Sequence, residues 1–154
     1  AVRGAGNWAL RPAEEEDLAF LYQVKKASNL GYIAALQGWD EEGQRRAFAR
    51  DFQRRREFSV ITVDGADAGF LQLQRGADFL NVAELHLLPA FQGRGIGSAV
   101  LKHLQAQAVD LPLLIGCFQA NKEALRLYRR LGFIPVTETD THVILIHDPT
   151  KQEE

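Results

Sequence analysis

Two ionisable side chains, Glu84 and His86, stand two positions apart in an otherwise mostly apolar run from Phe79 to Leu88. Side chains alternate across an extended strand, so Val82, Glu84, His86 and Leu88 share one face, opposite Ala83, Leu85 and Leu87. A carboxylate and an imidazole on one face suit proton acceptance, directly or through water. The run then empties through Leu87-Leu88-Pro89-Ala90-Phe91-Gln92-Gly93-Arg94-Gly95-Ile96-Gly97-Ser98 into a glycine-rich turn and a helix. Without a Cβ, such residues let several backbone N–H groups point into one concavity, where first-turn amides and the helix dipole add partial positive charge. The turn suits a pyrophosphate.

Glycines also mark plain strand-to-helix connections, and spacing separates the ligand classes. The dinucleotide fingerprint Gly-x-Gly-x-x-Gly fails, because counting from Gly93 puts Ser98 in the last place and counting from Gly95 puts Val100 there. A Walker loop needs Gly-Lys-Ser/Thr after four intervening residues, and none occurs. A nucleotide-binding enzyme therefore has only the glycine cluster behind it.

The pattern that fits is Gln/Arg-x-x-Gly-x-Gly/Ala, read here as Gln92-Gly93-Arg94-Gly95-Ile96-Gly97 and followed downstream by Asn121-x-x-Ala124-x-x-x-Tyr128-x-x-Leu131-Gly132-Phe133. On these two spaced motifs the chain, from about Leu10 to His147, resembles the GNAT superfamily of acyl-CoA-dependent N-acyltransferases. The resemblance implies an α/β (α+β) fold: a mixed, mostly antiparallel central sheet of six or seven strands, splayed at its centre and flanked by about four helices. It implies acetyl-CoA as cosubstrate and no metal. Backbone amides of Gln92, Gly93, Arg94, Gly95, Ile96, Gly97 and Ser98 would hold the pyrophosphate, with the backbone of Leu87 and Leu88 beside the pantetheine arm. Asn121 would contact the pantetheine region, and the Tyr128 hydroxyl would act as acid at the thioester sulfur. Read without the family, Asn121 is an N-cap and Tyr128 a core aromatic. Gly38-Trp39-Asp40 and Thr139-Asp140-Thr141-His142 further resemble a bacterial subgroup of little-defined substrates, from which Val143 departs where an aromatic is usual.

The implied reaction is direct attack of an amine on the thioester. An alkyl ammonium of pKa near 10.4 must first lose a proton, at a cost of roughly 4 to 5 kcal/mol at neutral pH. Glu84 is the first candidate base, His86 its substitute or partner, and an ion pair on Glu84 the competing reading. The tetrahedral oxyanion would take an N–H from Leu87 or Leu88, and the thiolate a proton from Tyr128. Tyr32, Trp39, Asp40 and His142 are candidates for the acceptor pocket; their structural readings are core, core, helix cap and strand start. Cys117, inside an apolar strand, reads as packing. His103 and His147 read as solvated. A catalytically weak acyl-CoA sensor or partner-binding domain is the alternative function.

The elements that must carry these groups follow from periodicity. Trp8 to Arg11 reads as a strand ended by Pro12, and the acidic run Glu14 to Asp17 opens a helix with Leu18, Leu21, Val24 and Ala27 inward and Lys25-Lys26 near its negative end. Gly31 separates off a short segment, and Asp40 caps a second helix bearing Phe48 and Phe52. Phe58–Val63 and Ala68–Gln74 form a hairpin about Asp64-Gly65. Ile96, Val100, Leu101, Leu104 and Ala108 give the inner face of the next helix, with Lys102, Gln105 and Gln107 outside. Leu113 to Phe118 is a strand, Asn121 to Leu131 a helix ended by Gly132, and Phe133–Val136 and His142–Ile146 a last strand pair.

The chain's 154 residues, 46% hydrophobic and 25% charged, match one soluble domain spanning the whole, with about 8–147 as its ordered core. A net charge of -2 and the lack of a recurring basic stripe speak against nucleic acid; the Arg54-Arg55-Arg56 run reads as solvated surface. One cysteine rules out a disulfide framework, and no apolar run nears the roughly 20 residues of a membrane span. The expectation is a cytoplasmic protein acting on a small-molecule or peptide amine, without membrane or nucleic-acid partners. The family's habit of pairing last strands between subunits leaves a homodimer open.

Overall fold

The computed structural model describes residues 6–151. In chain order its elements are β1 (Trp8–Pro12), α1 (Leu18–Gln37), α2 (Glu41–Phe52), β2 (Phe58–Val63), β3 (Ala66–Arg75), β4 (Leu80–Leu87), α3 (Ile96–Gln107), β5 (Leu113–Phe118), α4 (Lys122–Arg130), β6 (Ile134–Glu138) and β7 (His142–His147). The strands form one sheet in the order β1-β2-β3-β4-β5-β7-β6. Neighbours β1/β2, β2/β3, β5/β7 and β6/β7 are antiparallel, whereas β4 and β5 run parallel, pairing Leu80, Asn81 and Val82 with Leu113, Leu114 and Ile115. This is the mixed, mostly antiparallel α/β architecture expected. Two compact units share the chain: one comprises the chain up to Gln72 with Glu84–Gly97, the other Leu73–Ala83 with the chain from Ser98 onward.

In the first unit Pro12 ends β1, as read, from inside the strand: it occupies the last position, opposite Ser59. At an edge strand the missing N–H costs no ladder bond. α1 likewise runs past Gly31 to Gln37 as one helix. A mid-helix glycine costs only about 1 kcal/mol against alanine, less than abandoning the hydrogen-bond ladder beyond it. Lys25 and Lys26 therefore lie mid-helix, away from its negative end. Leu21, Tyr22 and Val24 are buried, while Ala27 is exposed because the C-terminal half of α1 has little packed against it. Tyr22, Phe48, Phe52, Phe58 and Phe70 form the aromatic core, with Phe52 and Phe58 at 5.1 Å and Phe48 and Phe70 at 5.7 Å in edge-to-face contact. The β2–β3 hairpin turns on Asp64 and Gly65, both at positive φ (52° and 85°), the geometry of the short hairpin turn that Asp-Gly favours.

The inner face of α3 is as read: Ile96, in the first unit, and Val100, Leu101, Leu104 and the following Ala108, in the second, are all buried. Gln105, placed outside by periodicity, is half-buried instead, because its Nε2 donates to the Leu131 carbonyl at 2.9 Å and ties α3 to the end of α4. α4 ends in a Schellman turn, with the Phe133 N–H on the Tyr128 carbonyl (3.0 Å), the Gly132 N–H on the Arg129 carbonyl (3.0 Å) and Gly132 at φ 94°. The matching apolar contact is Tyr128 against Phe133, ring centroids 6.0 Å apart. His147, read as solvated, is half-buried, with its ring 5.7 Å from that of the buried Phe133. His103 sits on the exposed face of α3.

Candidate functional site

The glycine turn is built as its composition requires. Gly93 (φ 72°) and Gly95 (φ 81°) lie in the left-handed region, where a side chain is strained, and they flank Arg94. A Cβ added at Gly93, Gly95 or Gly97 would meet nothing within 4 Å, so the space at all three is open. Among the described residues the amides of Gly93 and Gly95 donate to no protein group. The Ile96, Gly97 and Ser98 amides belong to the first turn of α3 and have no partner inside the helix. This concavity of unpaired donors and absent side chains fits a diphosphate. Ile96, 1% exposed, anchors the helix start, Arg94 lies 5.5 Å over the Phe91 ring, and Gln92 Nε2 donates 2.9 Å to the Leu87 carbonyl, fastening the turn to the end of β4.

That strand end is shaped by Gly69 on β3. A Cβ there would collide with the His86 carbonyl and stand 2.9 Å from the Leu87 Cα, so only glycine permits the approach. The Leu88 N–H donates to the Ala68 carbonyl at 2.8 Å. Of the two amides considered for an oxyanion, Leu88's is thus committed to the sheet.

Glu84 and His86 do share a face and touch: His86 Nε2 and Glu84 Oε1 are 2.6 Å apart. Lys25 Nζ reaches the other carboxylate oxygen, Oε2, at 2.7 Å. The Lys25, Glu84 and His86 side chains are 19%, 16% and 12% exposed. Burial pushes the Glu84 carboxyl up, but the His86 hydrogen bond and charge, followed by Lys25, outweigh it and hold the carboxyl below its usual range. The Phe70 ring lies 5.4 Å from the imidazole, and Lys25 Nζ stands 5.3 Å over Phe48.

In the second unit Asn121 is the N-cap of α4, its Oδ1 accepting from the Ala124 N–H at 3.1 Å. Tyr128 is 8% exposed, and its hydroxyl has no hydrogen-bond partner among the described residues. Burial, with a smaller push from Cys117, raises the phenol well above its ordinary value and keeps it protonated at any working pH. Cys117 is partly buried, which pushes its thiol up and away from the reactive thiolate.

The four acceptor-pocket candidates have individual surroundings. Trp39 donates its indole N–H to Glu41 Oε1 at 2.9 Å and packs on the aromatic core. Glu41 also receives Tyr22, Lys26 and Arg45, which together bring its carboxyl down to about 2, the Lys26 hydrogen bond first. Asp40 is exposed at the N-cap of α2, yet its carboxylate makes no capping hydrogen bond and rests against Gly43 instead. Tyr32 is half-buried on α1. His142, in the second unit, stacks on Phe118 (4.3 Å) and bonds Thr141 Oγ1 through Nδ1 at 2.7 Å. The Arg54–Arg56 run lines an open depression of about 860 Å³ with Pro12 and Phe58, remote in sequence from the glycine turn.

Three participants carry no sequence signal. Lys25 is one of many helical lysines, and nothing local says that it reaches a strand far along the chain. Glu41 and Gly69 matter only through what folds against them. The one available hint for Gly69 is a glycine inside a strand pattern, which often marks close backbone approach.

Comparison with known proteins agrees with this geometry. A stretch of 61 residues is 41% identical to the GCN5-like protein acetyltransferase Rv2170 of Mycobacterium tuberculosis, covering 38% of this chain and 30% of that one. Over 83 residues the chain is 34% identical to the uncharacterized N-acetyltransferase Rv2669 of the same organism, covering 51% and 53%. The matches thus span from under a third to about half the length of these relatives. The fold is that of a PaiA N-acetyltransferase from Thermoplasma acidophilum solved in complex with coenzyme A, with a TM-score of 0.73, 19% identity and coverage of 92% of this chain and 99% of that one. Residues 54–135, more than half of the sequence and including the glycine turn, Asn121 and Tyr128, match the acetyltransferase (GNAT) domain, and the chain belongs to that family.

Proposed function

We propose that this protein transfers an acetyl group from acetyl-CoA to an amine of a small molecule or peptide by direct attack, without a covalent enzyme intermediate. The observation that carries the reading is the glycine turn: unpaired amides at Gly93 and Gly95, positive φ at both, and open space where three side chains would stand. Acetyl-CoA supplies the activated acyl group. Gln92 through Ser98 hold its diphosphate, and the backbone of Leu87 and Leu88 lines the arm, with the Leu87 N–H as the donor to the developing oxyanion. Asn121, whose amide Nδ2 has no hydrogen-bond partner among the described residues, binds along the same arm. Tyr128 keeps its proton until the thiolate leaves and then donates it. The Glu84–His86 pair takes the amine proton, and Tyr32, Trp39, Asp40 and His142 line the acceptor side.

The coenzyme A complex of the structural relative supports the choice of cosubstrate. Among the described residues no helix is long and apolar enough to cross a membrane, which fits the proposed cytoplasmic setting. The edge strand β6 leaves Ile134 and Val136 64% and 55% exposed, which supports a homodimer joined at that edge.

Incubation with acetyl-CoA and a broad panel of amines, with free thiol measured, should give acceptor-dependent release. Tight acetyl-CoA binding without release across the panel would replace the enzyme with an acyl-CoA sensor, and no binding would remove both readings.

A further inference from the structure

We propose that His86, not Glu84, is the group that takes the proton from the acceptor amine, and that Glu84 is a positioning residue fixed by Lys25. The inference deepens the acetyl-transfer reading and rests on it.

Glu84 Oε1 is bonded to His86 Nε2 and Oε2 to Lys25 Nζ, so both oxygens are engaged inside the protein. Two cationic or donor partners favour the carboxylate, and an ionised carboxylate only accepts hydrogen bonds. A 2.6 Å contact between it and His86 Nε2 therefore requires the proton to sit on Nε2. In a neutral ring Nδ1 is then the bare lone pair. Nδ1 has no protein partner among the described residues, and the side chain is 12% exposed, which leaves that nitrogen open to a substrate.

Among the described residues, the charged groups facing the imidazole are Glu84 on its own strand and, through that carboxylate, Lys25 from α1; from β3 the Phe70 ring lies against it. The carboxylate stabilises the imidazolium formed when Nδ1 accepts a proton. Lys25 restrains the same carboxylate so that it neither rotates away nor protonates in place of the histidine. Phe70 holds the ring plane.

The step balances simply. As the amine nitrogen bonds to the acyl carbon, its proton passes to Nδ1; the carbon–sulfur bond breaks, the thiolate takes the Tyr128 proton, the imidazolium releases its own to solvent, and the phenolate recovers one from solvent.

Two measurements on the intact protein test this. The first is nitrogen-15 NMR of the His86 imidazole, which needs no acceptor. Wild type should show the neutral ring protonated at Nε2 and bare at Nδ1, and a ring protonated at Nδ1 overturns the proposal. The second is the pH dependence of kcat/KM with an acceptor from the amine panel. His86→Gln should lower turnover by about a hundredfold or more and erase the acid limb, with acetyl-CoA binding retained. Glu84→Gln keeps an oxygen for Nε2–H but removes the charge, so activity should persist with its acid limb moved to lower pH. Lys25→Gln removes a cation and should move the limb to higher pH. If Glu84→Gln erases the limb and His86→Gln does not, Glu84 is the base and the proposal fails while acetyl transfer stands. A wild type that binds acetyl-CoA but transfers to nothing overturns the transfer reading and, with it, the role of His86 as base.

Discussion

At the residue scale the site separates groups by what their surroundings leave unsatisfied. Tyr128 is largely buried, yet its hydroxyl has no protein partner among the described residues and is not shut off from solvent, so it can meet a ligand without giving up a protein hydrogen bond. Tyr128→Phe should therefore fold normally, bind CoA nearly as wild type and lose about a hundredfold in turnover; a turnover unchanged in a steady-state assay would remove the phenol from the mechanism. The contrast with Trp39 is instructive. Its one polar atom is already bonded to Glu41, so it reads as part of the joint between α1 and α2. Both Tyr128 and Asn121 could be found by spacing because their motif is local, within one helix and its caps. The Lys25–Glu84 contact could not, since it joins a helix to a strand by a path that only the folded backbone defines.

At the element scale, the two glycine positions that matter are fixed by φ rather than by packing. Gly95 at φ 81° has open space about it, so valine there fits sterically but strains the backbone and turns the turn's amides. Gly95→Val should weaken acetyl-CoA binding by about tenfold in a calorimetric titration, for a strain of about 1–2 kcal/mol. Affinity equal to wild type would mean that the turn does not hold the diphosphate. Gly132, at φ 94° in the Schellman turn, belongs to stability instead. Gly132→Ala should cost about 1–2 kcal/mol in urea unfolding with coenzyme affinity unchanged. The boundaries of these elements were legible where a cap or turn residue declares them, as at Asn121, Gly132 and Asp64-Gly65. The break at Gly31 was misread, because intrinsic propensity is a small term beside the continuing hydrogen-bond ladder.

At the scale of the whole molecule, Asp17, Glu41 and Glu84 are held below their usual range among the described residues: Asp17 chiefly by Arg11, Glu41 chiefly by Lys26, and Glu84, against its burial, by His86 and Lys25. Their folded pKa values lie under the unfolded ones near 4, so the stability they give is present above that pH and is lost as pH falls through the folded values. The urea midpoint should drop steadily from about pH 5 toward about pH 2, and a flat profile would show that these pairs stabilise nothing. Acetyl-CoA should raise the free energy of unfolding at pH 7 with the logarithm of its concentration, by about 2.7 kcal/mol at a hundred times its Kd, and the urea midpoint with it. What the sequence by itself determined was every feature written in neighbouring residues: the glycine turn, the capped α4 with its Tyr128, the β2–β3 hairpin, the α3 face, and through their order the family. The tertiary structure alone decided which distant groups meet, namely Lys25 on Glu84, Glu41 under Trp39, Gly69 against the His86–Leu87 backbone and Ala68 on the Leu88 amide. The reason is physical: caps, turns and amphipathic faces are set by interactions a few residues apart. A side-chain pair across the fold depends on helix length, strand register and rotamer together, none of which a local pattern encodes.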